Sequence, residues 1–140
     1  MPPTCGGCTN SILAEIEFNV TAFGSDIFIP AAMSIDLNNT DNIYGAGMTY
    51  YIDTFGSSVI SSSGLLTSNA QNTTNGFRID EGVTEMFQAS ILVQPSTVGF
   101  YKVEINSIEF AVTDVPAGDP SSQDFVLFED FKTSNISINQ

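Results

Sequence analysis

The chain contains no histidine and no tryptophan, and only 3 of its 140 residues are lysine or arginine. Without His, Ser-His-Asp and Cys-His catalysis are excluded, and the commonest zinc and haem ligand is missing. Against the 3 cations stand 16 Asp and Glu, for a formal net charge of −13. So acidic a chain lacks the basic footprint that phosphate binding requires, which argues against nucleic acid and disfavours anionic membranes. No apolar run approaches the roughly 20 residues of a membrane helix, so membrane insertion is not expected. A basic start followed by an apolar stretch, the mark of a signal peptide, is absent as well.

What is present is a chain that is 42% hydrophobic, too apolar for a disordered acidic tail. Its length suits one domain that buries about two-thirds of its unfolded surface. We expect a flexible Cys- and Gly-containing head or linker over residues 1–11 and a folded domain over residues 12–140. Met1-Pro-Pro-Thr-Cys-Gly-Gly-Cys8 reads either as a mature N-terminus or as a piece of a longer protein. Abundant Ser, Thr, Asn and Gly with scarce Lys point to an extracellular or cell-surface setting. Sequons at Asn19, Asn38, Asn72 and Asn135 matter only where such sites are glycosylated.

Periodicity predicts strands throughout. Ile12, Ala14, Ile16, Phe18, Val20 and Ala22 alternate with Glu15, Glu17, Asn19 and Thr21, the signature of a half-buried strand. Shorter strands are predicted at 26–29, ended by Pro30, and at 32–37, 48–54, 58–60 and 76–79. The stretch 61–75 is so rich in Ser, Thr, Asn and Gly that an irregular connection or a short edge strand is expected. Phe87, Ala89, Ile91 and Val93 should line an inner face. Tyr101, Val103 and Ile105 point inward, after which the phase shifts to Ile108, Phe110 and Val112, predicting a β-bulge near Asn106-Ser107. Strands at 125–128 and 135–138 complete the set. No stretch of ten residues has a helical period. The expected fold is therefore all-β: a single Ig-like antiparallel β-sandwich of about 8–10 short strands, without the Ig disulfide or core Trp. Ile16-Glu-Phe-Asn-Val-Thr21 and Ile108-Glu-Phe-Ala-Val-Thr113 agree at five of six positions. We read this as convergence of two strands with one wet face, since no similarity extends beyond them.

Four segments carry a resemblance: Glu17 to Pro30, Phe77 to Phe87, Gly99 to Phe110 and Phe128 to Ile138. They resemble uncharacterised Ig-like sandwich domains at the C-terminal ends of secreted proteins from candidate-phylum bacteria, which often follow peptidoglycan-binding or other Ig-like modules. The resemblance covers about residues 12–138 and implies a fold. Its motifs are strand-and-turn patterns with no chemistry attached. This chain departs from the pattern in carrying only a short Cys-containing head upstream.

Few constellations bear chemistry. Cys5-Gly-Gly-Cys8 lacks the strand-to-helix context of a redox motif, and two Cys without His do not complete a zinc site. A local or interchain disulfide, or a cross-link between subunits, is the expected use of Cys5 and Cys8. Asp36, Asn38, Thr40 and Asp41 space their oxygens like the start of a calcium loop, but Asp41 and Gly47 stand where that loop needs Gly and Glu. Ordinary turn chemistry is the competing account of these residues, as it is of Asp114, Asp119 and Asp124. Glu15 and Glu17, about 6.5–7 Å apart on one strand face, read as solvated, and Glu104 and Glu109 read likewise. Phe outnumbers Tyr 11 to 4 and falls mostly at inward positions, so core packing is preferred to a carbohydrate platform.

No enzymatic activity and no cofactor is expected, calcium being the one ion in question. The sequence favours a non-catalytic extracellular or cell-surface structural or adhesion module with protein partners. It would self-associate as a filament subunit in which a terminal strand, 12–22 or 135–138, enters a neighbour's sheet. A calcium- or glycan-binding module is the alternative.

Overall fold

The computed structural model of the chain describes residues 11–37, 47–55, 59–119, 123–126 and 136–138. Eleven strands are found among them: β1 (Ile12–Thr21), β2 (Ile27–Pro30), β3 (Met33–Ile35), β4 (Met48–Asp53), β5 (Val59–Ser68), β6 (Gln71–Asn72), β7 (Gly76–Ile79), β8 (Thr84–Pro95), β9 (Gly99–Phe110), β10 (Gln123–Val126) and β11 (Ile136–Ile138). The described residues contain no helix, hence none long and apolar enough to cross a membrane. The all-β expectation holds.

Three sheets are formed, ordered β1-β8-β5, β10-β9-β4-β3 with β11 also on β9, and β2-β7-β6. Strand pairing is antiparallel except between β3 and β4. The third sheet joins the second where Phe28 and Ala111 exchange two backbone hydrogen bonds of 2.8 and 2.9 Å.

The alternation read in the sequence builds the interior. Ile12, Ala14, Ile16 and Phe18 of β1 are buried, and they face Val93, Ile91, Ala89 and Phe87 of β8 in unbroken register. Phe87 stacks on Phe18 at 5.6 Å between ring centroids and meets Phe77 edge-on at 5.6 Å. Tyr50, Ile52, Tyr101, Val103, Ile105 and Ile108 from the second sheet join the same core. Each buried Val, Ile or Phe among them contributes about 1.5–3 kcal/mol. The predicted bulge is present: Thr49 lies opposite Ser107 but Tyr50 lies opposite Ile105, so Asn106 is the extra residue.

Two expectations are corrected. Of the two readings of 61–75, the edge strand holds and its shortness is corrected: residues 61–68 belong to β5, which is ten residues long, lies at the edge of its sheet and pairs with β8 from Val59 to Ser68. Its side chains mislead because Ser, Thr and Gly fill residues 61–64 and 67–68, leaving Leu66 as the buried apolar residue among 61–68, while Gly64 lies close against Met33. The inward phase predicted for Ile108, Phe110 and Val112 fades along the strand: Ile108 is buried, Phe110 half-buried and Val112 exposed.

Candidate functional site

The polar residues of β9 are the first place where chemistry gathers. This strand has neighbours on both edges, and burial runs unbroken from Val103 to Glu109. Glu104, Asn106, Ser107 and Glu109 are all buried. The reading of Glu104 and Glu109 as solvated is therefore corrected. A strand covered on both faces has no wet side for its second phase.

Each of these groups has a hydrogen-bond or ionic partner, as buried polar atoms require. Glu109, 0% exposed, accepts N–H bonds from Gly47 at 2.7 Å and from Gly118 at 2.8 Å, one on each carboxylate oxygen. Its own N–H donates to the Gly47 carbonyl. Both glycines have positive φ, 77° and 87°. A Cβ on Gly47 would stand 2.3 Å from the Ala32 carbonyl oxygen, so no other residue fits there. Glu109 thus ties together two backbone turns that are distant in sequence. The Asn106 amide donates to Asp36 Oδ2 at 3.0 Å. Thr49 and Ser107 share a 2.6 Å hydroxyl–hydroxyl bond. Lys102 Nζ stands 3.6 Å from Glu104 Oε1. With both oxygens taken by backbone N–H groups, the Glu109 carboxylate holds structure.

The second gathering is on the outer face of β1-β8-β5. Leu13 lies opposite Leu92, and Leu65 is diagonal to Leu92, being opposite Ser90. All three leucines are exposed, and so is Met86 farther along β8. Glu15 and Glu17 share this face, opposite Ser90 and Gln88. Neither carboxylate has an ion-pair partner among the described residues. Arg78, the other described cation, is held 2.8 Å from both Asp26 and Asp80. Its Nε is off the line of a hydrogen bond to Asp80, so that contact is purely ionic. Both described cations therefore already stand beside acids.

Of the predicted site residues, Asp36 is buried and paired with Asn106. Cys5, Cys8, Asn38, Thr40 and Asp41 lie outside the described residues. Asp114 accepts from the Thr73 hydroxyl at 2.9 Å, a contact between two segments 41 residues apart, and Asp119 N–H donates to the Pro116 carbonyl within a turn. No group of three or more metal-ligating carboxylates or thiols occurs among the described residues. Asn19 and Asn72 are exposed strand residues; Asn38 and Asn135 fall outside the described set. Tyr50 is buried and its neighbour Tyr51, on the other face of β4, is half-buried. Phe23, Phe55 and Phe100 are exposed, against the inward placement expected of the phenylalanines.

Sequence reasoning missed the Glu109 tie. The bulge carries the apolar side from Val103 and Ile105 on to Ile108 and leaves Glu104, Ser107 and Glu109 on the other side, so that face reads as polar and nothing in the pattern marks its burial. Compared with protein-family models, curated proteins and solved structures, the chain matches none.

Proposed function

We propose that this protein is a non-catalytic structural or adhesion module of the cell surface or extracellular space, built as an Ig-like β-sandwich. One observation carries the reading: exposed Leu13, Leu92 and Leu65 adjoin on the outer face of a sheet whose long flanking strand, β1, pairs on one side only among the described residues. Contiguous apolar surface on a soluble domain marks contact with another macromolecule. The buried polar groups support the same reading, because Glu109, Thr49 and Ser107 are spent on bonds that hold the chain together. In the sharper form, the module is a filament subunit in which a terminal strand enters a neighbour's sheet, with Cys5 and Cys8 cross-linking subunits.

Size-exclusion chromatography with light scattering, under oxidising conditions, tests the assembly. Polymers that survive mild denaturant are expected, and their yield should fall when Leu13 and Leu92 are both replaced by Lys. A monomer at every concentration would remove the filament reading.

A further inference from the structure

The three-stranded sheet has two long edges, and they are unlike. β5 contains Gly64, which lies against Met33, and a register break between Val59 and Ser61. β1 pairs with β8 over ten residues without a break and contains no Pro, Gly or Lys. The other edges belong to short strands: β3 has three residues and β6 two. Edge strands left long, flat and unbulged offer a row of unpaired N–H and C=O groups to an incoming strand. Along residues 12–17 no described strand lies on that side of β1.

What the edge accepts is decided by its charges. On the outer face, residues 13–17 present Leu-x-Glu-x-Glu, and neither carboxylate has a cation beside it among the described residues. A strand laid beside β1 would place its own alternate side chains about 4.5–5.5 Å from these Glu residues. A second copy of β1, centred antiparallel on Ile16, sets Glu15 against Glu17, and like charges directly opposite destabilise. This chain has few cations to answer them, since Arg78 and Lys102 already stand beside acids.

We propose that the edge of β1 over residues 12–17 binds an extended basic segment of another protein as an added strand. The segment has Lys or Arg at alternate positions, facing Glu15 and Glu17, and aliphatic residues between them that extend the apolar side of Ile12, Ala14 and Ile16. Backbone bonds to β1 supply affinity, and the alternate cations supply selection. The proposal goes beyond the self-assembly reading and stands whether or not the chain polymerises.

The test uses the whole chain and a labelled nine-residue peptide with Lys at every second position and Val between, at about 0.05 M salt. Binding is followed by fluorescence anisotropy and located by amide hydrogen exchange. Expected are protection of residues 12–17 on binding, loss of binding when alternate peptide nitrogens are methylated on the strand-pairing side, and about tenfold weaker binding to the E15K/E17K double variant. A Glu-Val peptide should bind that variant in preference to the native chain. Equal binding of the Lys-Val peptide to both proteins, protection elsewhere, or no binding up to millimolar peptide overturns the proposal. Protection of residues 12–17 that grows with protein concentration, without peptide, assigns the edge to a second copy instead.

Discussion

The tripeptide Ile-Glu-Phe occurs twice, at 16–18 and 108–110, and its two glutamates live in opposite surroundings. Glu17 sits on the open face of an edge strand. Glu109 is fully buried between two glycine turns, with a backbone N–H on each oxygen. Local sequence is identical, so what differs is what lies over the face: the Glu17 side is open, whereas the turns at Gly47 and Gly118 close on Glu109. Replacing one oxygen of Glu109 by an NH₂ points a donor at a donor. Glu109→Gln should therefore cost about 1–3 kcal/mol, the penalty of leaving a buried donor unsatisfied. Glu17→Gln should stay within about 0.5 kcal/mol, as surface changes do. Urea denaturation of both variants measures the difference. The alternation that places Ile16 and Ile108 inward was legible from the sequence. The fate of the intervening Glu was not, because burial of a strand's second face depends on residues far away in the chain, here Gly47 and Gly118.

Strand β5 shows the same limit for a whole element. Ser, Thr and Gly crowd it, so no apolar period marks it, yet it pairs with β8 along ten residues. Its hydroxyls are absorbed by the surroundings: Ser62 meets the Tyr50 phenol at 2.9 Å, and Ser68 donates to the Met86 carbonyl at 2.7 Å. The adjacent leucines separate its two faces, with Leu65 63% exposed and Leu66 3%. Leu66→Ala should lower stability by about 2–5 kcal/mol, the cost of a cavity in a packed core. Leu65→Ala should be nearly silent in the isolated protein. Thermal unfolding of the two variants distinguishes a core strand from a loop, in which neither change would matter much. β1, and β8 from Phe87 to Val93, were by contrast readable, since their inner faces carry apolar side chains at every second position there. The bulge at Asn106 was readable too, because an inserted residue must shift the phase of all that follow.

For the molecule as a whole, the charge of −13 is what remains after all 3 cations are set against the 16 acids. Self-repulsion of this kind weakens the compact state and is screened by salt. Raising NaCl from about 0.02 to 0.3 M should increase the unfolding midpoint by about 3–5 °C, equivalent to about 1 kcal/mol for a chain of this size; calorimetry reads this directly. Binding of a basic strand to β1 should move the opposite way with salt. The pairing of β1 with β8 also sets a timetable. Thr21 and its partner Thr84 are 63 residues apart, and at 5–20 residues per second a ribosome takes about 3–13 s to make that stretch. Throughout this interval β1 emerges with its apolar side chains ready and its partner not yet synthesised. Glu15 and Glu17 are then the only charges within the strand, spaced to keep one nascent chain from pairing with the next on a polysome.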